Sequence, residues 1–204
     1  MALATDTGSI SGASMNDAYG SKTAAFGTAI TRVVSPRAGL RAAVSGFAYT
    51  AGTTAHTLTF LTAQSETTIS TEAASGQAVI ALTTIPTASD GSLLAANDFV
   101  IVQHEDGSWS DYVVSSISGL NVTLTGNLSK KVLKGSRVFF MGVIADHPDR
   151  QYTIAASTTL QISGGDVRLR CATANKDNEP ILAHSANPTV AGTLVWLGFT
   201  YGLA

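Results

Sequence analysis

Lysine and arginine are missing from residues 42 to 129, although the chain has twelve of them in 204 residues. That stretch holds seven carboxylates: Glu66, Glu72, Asp90, Asp98, Glu105, Asp106 and Asp111. Residues 1–41 have four basic side chains against two acidic, and residues 130–204 have eight against five. An acidic middle is thus flanked by basic ends, while the whole chain carries a formal charge of only −2. Carried onto a folded surface, such segregation predicts opposite fields on different faces, which orient docking on a partner and favour stacking on further copies. Charge is also scarce overall, 13% of residues against a usual share of about 25%. With 45% hydrophobic residues and a mean hydropathy of +0.22, this excludes a chain disordered throughout. Much of the surface must then be Ser, Thr, Ala and Gly, or lie under other subunits.

Cysteine is nearly absent: Cys171 stands alone, which excludes an internal disulfide and gives no support to a thiolate metal site. No apolar run approaches the roughly 18 residues of a membrane helix, and Met1–Ile10 lack the basic start and apolar stretch of an export signal. The expectation is synthesis in the cytoplasm and no membrane partner. The densest basic cluster is Lys130, Lys131, Lys134 and Arg137, too sparse for sequence-specific nucleic-acid binding. His56, His104, His147 and His184 have no His-x-x-x-His or Glu-x-x-His spacing, so no metal site is expected. The chain also lacks a Gly-x-Ser-x-Gly elbow, a phosphate loop and a dinucleotide fingerprint, and the neighbouring Glu105 and Asp106 read as the tip of a hairpin. The reading is of a chain that is not an enzyme, with no catalytic residues and no cofactor.

What is present has β texture. A chain of this length makes one large all-β domain or two smaller ones, burying about 70% of the surface its unfolded form exposes. Residues 1–43 are rich in Gly, Ser, Thr and Ala, with large side chains too widely spaced for a core of their own, and read as an extended N-terminal arm. Residues 44–145 read as a β domain. Leu58 and Phe60 alternate with Thr57 and Thr59, and Ala78, Ile80 and Leu82 share a face. Between them, residues 63–76 have a weak helical or loop pattern. From residue 97 a four-strand meander is predicted, with turns at Glu105-Asp106-Gly107-Ser108 and Ser118-Gly119-Leu120-Asn121 and a last strand over 138–144. Residues 146–204 read as further strands packing on the body or on neighbouring subunits, with 158–163 and 167–172 joined as a hairpin by Gly164-Gly165-Asp166. The last strand, 193–201, is apolar on both faces, with Trp196 on one and Phe199 and Tyr201 on the other, and is either central in a sandwich or sealed by another chain. The fold class is all-β: a sandwich or small-barrel body with an extended N-terminal arm.

Four stretches carry a resemblance: Asn97-Asp-Phe-Val-Ile-Val, Asp106-Gly-Ser-Trp, Val113-Val-Ser-Ser-Ile-Ser-Gly-Leu-Asn-Val-Thr-Leu-Thr, and Gly135-Ser-Arg-Val. In this order they resemble a small β module that recurs in virion proteins of tailed bacteriophages. The stretches 45–56 and 179–194 are similar to phage capsid-decoration, or cement, proteins. The resemblance implies a protein that binds the outer surface of the capsid, there touching the major capsid protein and further copies of itself as a homotrimer, and that stabilises contacts between capsomers. It further implies that Phe26, Ile30, Arg32, Arg37 and Arg41 of the arm, with Trp196, Phe199 and Tyr201 of the final strand, form the interface. A tail, neck or receptor-binding virion component would use the same modules, and a carbohydrate-binding β domain would need aromatics beside carboxylates in a cleft.

Overall fold

A computed structural model describes the backbone of residues 4–5, 18–21, 24–26, 30–34, 40–88, 90–142, 151–162, 169–170, 181–185 and 192–203. It describes the side chains of residues 47–142, except His56 and Ser89, and of residues 152–161. Every regular element among them is a strand: β1 (Ala4–Thr5), β2 (Ala18–Ser21), β3 (Ala24–Phe26), β4 (Ile30–Val34), β5 (Leu40–Ala51), β6 (His56–Thr71), β7 (Val79–Leu82), β8 (Phe99–Gln103), β9 (Trp109–Ser118), β10 (Asn121–Leu124), β11 (Arg137–Gly142), β12 (Gln151–Ile154), β13 (Thr159–Ile162), β14 (Leu169–Arg170), β15 (Ile181–Ser185) and β16 (Gly192–Leu203). The chain divides into two compact units, Met1–Thr62 with Asp146–Ala204, and Ala63–Ala145. Strand β6 belongs to the first through Thr62 and to the second from Ala63.

The first unit is a sandwich. One sheet runs β1-β2-β16-β5-β13, with β3 also on β16 and β14 also on β5. The other comprises β12, the first half of β6, β15 and β4. Phe47 of β5 meets Phe60 of β6 and Tyr152 of β12 edge to face, with ring centroids 5.1 and 4.7 Å away. Because β5 lies in one sheet and β6 and β12 in the other, these rings fill the space between the layers. Each such pair adds about 0.5–1.5 kcal/mol beyond the burial of its area. Leu58 and Phe60 are fully buried, as their alternation predicts, but Thr59 and Thr62 are buried too, so this part of β6 is covered on both faces.

Two expectations for this unit are corrected or resolved. Strands β13 and β14 do not form a hairpin: both run antiparallel to β5, at Phe47–Thr50 and at Ala43–Val44, end to end along the same edge. The expected turn at Gly164-Gly165-Asp166 lies outside the described residues. The final strand β16 is interior to its sheet, with β5 along one side and β2 and β3 along the other.

The second unit is a closed six-stranded barrel in the order β11-β8-β9-β10-β7-β6, completed by pairing of β11 with β6. At the closure Ile69 donates its N–H to the Ser136 carbonyl at 2.9 Å, and Gly135 donates to Ile69 at 2.8 Å. Each strand sends alternate residues inward: Ile69 from β6, Ile80 and Leu82 from β7, Val100 and Val102 from β8, Tyr112 and Val114 from β9, Val122 and Leu124 from β10, and Val138 and Phe140 from β11. A barrel this narrow is filled by its own side chains and leaves no lumen. Leu94, Leu128 and Val132 enter the core from loops. Strands β8 and β11 are buried outward as well, at Ile101, Phe139 and Met141, which accounts for the two-sided apolar pattern of 99–104.

Local chemistry fixes the turns. The two-residue connection Gly119-Leu120 needs a positive φ at its first position, and Gly119 supplies +60°. At the β8–β9 hairpin Asp106 Oδ1 accepts from the Ser108 N–H at 3.0 Å and its hydroxyl at 2.6 Å, while Gly107 takes φ +79°. Asn97 also adopts a left-handed φ of +71°, which asparagine tolerates better than most side chains. Asn97 donates to the Val114 carbonyl, and Val114 donates to that of Asp98, so two residues oppose one and the strand is bent where it enters the barrel.

The predicted four-strand meander is corrected to three. After β10 the chain does not add β11 beside it; β11 lies between β8 and β6. The connection from β7 to β8 likewise passes over β10 and β9, so β7 to β10 form a Greek key. The helical or loop reading of residues 63–76 is also corrected, since β6 extends to Thr71. Its polar residues have partners that a strand provides: buried Gln64 donates to the Gly142 carbonyl at 3.1 Å, and buried Thr67 bonds to the Thr83 and Thr84 hydroxyls at 3.1 Å.

Candidate functional site

The eight residues expected at an interface fall in the first unit, with only their backbone positions described. Phe26 lies opposite Gly192, Ile30 opposite His184 and Arg32 opposite Leu182. Arg41 pairs with Gly202, Trp196 with Ala48, Phe199 with Gly20 and Val44, and Tyr201 with Ala18 and Ala42. Arg41 and Tyr201 thus stand on adjacent strands one residue apart in register. Arg37 lies outside the described residues.

In the barrel the charge segregation of the sequence is partly offset by folding. Lys130 reaches Asp106 Oδ2 at 2.5 Å, Lys131 reaches Glu72 at 3.0 Å, and Arg137 grips Glu66 with two nitrogens, Nη2 to Oε2 at 2.7 Å. Three of the basic residues that follow position 129 therefore fold back onto acidic residues that precede it. Three of the seven carboxylates, Glu66, Glu72 and Asp106, are thereby met by short-range ion pairs, which weakens the expected field of one sign over this surface. Arg137 also lies 5.0 Å over the Phe139 ring, whose neighbour is Trp109 at 5.4 Å. The Lys130 ammonium and the Ser108 bonds hold Asp106 well below the usual carboxylate range. The two bonds from Ser92 lower Asp90 in the same way. Asp98 is pushed up by burial, against the opposing effect of the Ala95 N–H it accepts at 2.7 Å.

The most enclosed polar group in the barrel is His104, 2% exposed. Its Nδ1 is 3.2 Å from the Lys130 carbonyl oxygen, which can only accept, so Nδ1 carries the proton. In the neutral ring Nε2 then accepts from the Ser110 hydroxyl at 2.9 Å. Ser129 Oγ adjoins both, and the Ser129 N–H donates to the Tyr112 hydroxyl at 3.2 Å. A serine bonded to a histidine is the beginning of a nucleophile–base pair. Here the imidazole is enclosed and each ring nitrogen is engaged within the fold, so the arrangement joins the β8–β9 hairpin to the 129–131 loop. In the sequence His104 is one of four scattered histidines. The signal that could have found its partner was the Asp106-Gly107 turn, which folds Ser110 back toward the residue before Glu105.

Among the described residues no group of three or more His, Cys, Asp or Glu side chains could hold a metal ion, and no helix is long and apolar enough to cross a membrane. No protein-family model matches the chain, and no curated protein matches its sequence. Among solved structures there is a likeness to VP17, a capsid protein of bacteriophage P23-77, at 11% identity and a TM-score of 0.20, covering 91% of this chain and 97% of that one. A superposition that slight carries no argument about this protein.

Proposed function

We propose that this chain is a structural protein of a bacteriophage virion, and within the virion a capsid decoration protein. It binds the outer capsid surface, with the major capsid protein and other copies of itself, as a homotrimer, for partners, and it stabilises contacts between capsomers. It performs no catalysis and needs no cofactor. The observation that supports this reading is where the four stretches that resemble the virion β module fall. All four lie within the closed barrel, at positions that make it close. Asn97 supplies the left-handed bend, Asp106-Gly107 the hairpin turn, Val122 and Leu124 the inner face, and Gly135 and Val138 the seam and core beside β6. A stiff module whose described charges are spent largely on turns and internal ion pairs suits a role in which surfaces are covered by protein. Many copies held on one particle then convert modest contacts into a firm hold.

The test is to locate the protein in purified virions by antibody labelling and to count it by quantitative mass spectrometry. Labelling over the whole capsid with a copy number commensurate with the major capsid protein is the expected result. Label confined to one vertex at low copy number would transfer the protein to the tail or neck, and absence from the particle would overturn the virion reading itself.

A further inference from the structure

The sequence contains two Asp-Gly pairs, and both continue as Asp-Gly-Ser: Asp90-Gly91-Ser92 in the loop between β7 and β8, and Asp106-Gly107-Ser108 in the β8–β9 turn. The fold gives them the same shape. In each, the aspartate Oδ1 accepts from the serine N–H and hydroxyl, at 2.9 and 2.7 Å for Asp90 and at 3.0 and 2.6 Å for Asp106. In each, the glycine N–H donates at 3.0 Å to the carbonyl two residues before the aspartate, that of Ala88 or of His104. One contact separates the two. Asp106 Oδ2 is held by Lys130 at 2.5 Å, whereas among the described residues no basic side chain meets Asp90. The Asp106 turn is tied to the same loop twice more, by His104 Nδ1 on the Lys130 carbonyl at 3.2 Å and by the Glu105 N–H on the Lys131 carbonyl at 3.0 Å.

We propose that Asp90 is a site of spontaneous backbone modification, converting to isoaspartate through a cyclic imide with Gly91, and that Lys130 protects Asp106 from the same reaction. The bonds from Ser92 curl the Asp90 carboxyl forward over the Gly91 peptide, which sets its carbon on the side of the Gly91 nitrogen and favours attack. A Cβ at position 91 would meet nothing within 4 Å, so a ring has room to form and water has room to reach it. In the first step the Gly91 nitrogen bonds to Asp90 Cγ, and the amide proton leaves with the carboxyl oxygen as water. In the second, water adds to the main-chain carbonyl carbon of Asp90, and the bond from that carbon to the Gly91 nitrogen breaks. The main chain then runs through Cβ and Cγ, with a free carboxylate on Cα; one water is released, one is consumed, and nothing is oxidised or reduced. The departing oxygen leaves as water only from a protonated carboxyl. The Ser92 and Ser108 bonds favour the ionised form at both sites, so the difference rests on Lys130, which adds a cation at Asp106 and engages its second oxygen. Asp90 is exposed in a loop without that anchor.

Ageing the full chain for several weeks at physiological temperature and mildly acidic pH, in water enriched in heavy oxygen, tests this. The product is digested with a protease that cleaves before aspartate but not before isoaspartate, and the peptides are weighed by mass spectrometry. The bond before Asp90 is expected to become resistant with time, the resistant peptide carrying one heavy oxygen atom, and to do so several times faster than the bond before Asp106. Lys130→Gln removes an exposed ion pair, so it should leave the thermal transition nearly unchanged while raising the rate at Asp106 to one comparable with Asp90. Asp90→Asn forms the same imide with ammonia as the leaving group, and should convert faster than wild type. A bond before Asp90 that stays cleavable, equal rates at the two sites in wild type, no rise at Asp106 in Lys130→Gln, or an inert Asp90→Asn would each overturn the proposal. The measurement involves no virion, so its failure and failure of the virion reading are separate results.

Discussion

Replacing His104 by alanine should destabilise the barrel more than any other single change to its polar side chains. The ring is 2% exposed and makes bonds of 3.2 Å to the Lys130 carbonyl and 2.9 Å to the Ser110 hydroxyl. Each bond contributes about 1 kcal/mol net, and the volume left by the ring costs about 1–2 kcal/mol more, giving about 3–4 kcal/mol. His104→Asn retains a donor near the Nδ1 position, gives up the Ser110 bond and part of the volume, and should cost about 1–2 kcal/mol. For a unit of this size a loss of 3 kcal/mol lowers the midpoint by about 12–24 °C. The chain has two tryptophans, Trp109 in the barrel and Trp196 in β16, so a Trp196→Phe background makes Trp109 the sole reporter. Urea unfolding followed by Trp109 fluorescence then reads the barrel alone. A loss below about 0.5 kcal/mol for His104→Ala, or an equal loss for Asn and Ala, would refute the assignment of the histidine as a bonded clamp, because surface changes without such partners stay within that range.

Gly142→Ala should cost about 1–3 kcal/mol in the same assay, because a Cβ there would sit 3.0 Å from Cγ of the buried Gln64 and displace its bond to the Gly142 carbonyl. The Arg137–Glu66 fork is partly exposed, at 25% and 32%, so a double-mutant cycle with Arg137→Lys and Glu66→Gln should give a coupling of about 1 kcal/mol or less, falling in high salt. Burial pushes the Tyr49 hydroxyl from 10.0 up to about 12. The neutral phenol is favoured in the folded state, so its contribution is complete below pH 10 and is lost as pH climbs through about 12; absorbance titration with Tyr49→Phe as reference should show one late-titrating tyrosine. Deleting residues 1–41 should weaken binding to expanded capsid shells in a pelleting assay, and undiminished binding would remove those residues from the interface.

What was legible in the sequence was local. Alternation of Val122 and Leu124 with Thr123, of Ile80 and Leu82 with Ala81, and the Asp106-Gly107 and Gly119-Leu120 turns each depend on a few adjacent residues, and the structure has them where expected. Closure of the barrel depends on partners far apart in the chain. Nothing near Ile69 announces that it will bond to Ser136, and a short turn after β10 would have been needed to keep β11 in the meander. Residues 63–71 were hidden for a related reason: Gln64, Glu66 and Thr67 look like loop residues until Gly142, Arg137 and Thr83 are brought beside them. The acidic run misled in the same way, since linear charge says nothing of Lys130, Lys131 and Arg137 returning across the same strands. Of the eight predicted interface residues, pairing fixes the strand positions of seven, and Arg41 and Tyr201 come close together in a register no sequence pattern displayed.

The pairing of β11 with β6 has a consequence for behaviour in a crowded cell. An open six-stranded sheet would end in two rows of idle amide and carbonyl groups, to which any extended segment could zip. Joined into a ring, the strands leave no such seam for a stray chain to extend. However concentrated the protein becomes, this part of it can meet its neighbours through side chains but cannot be lengthened into a fibre.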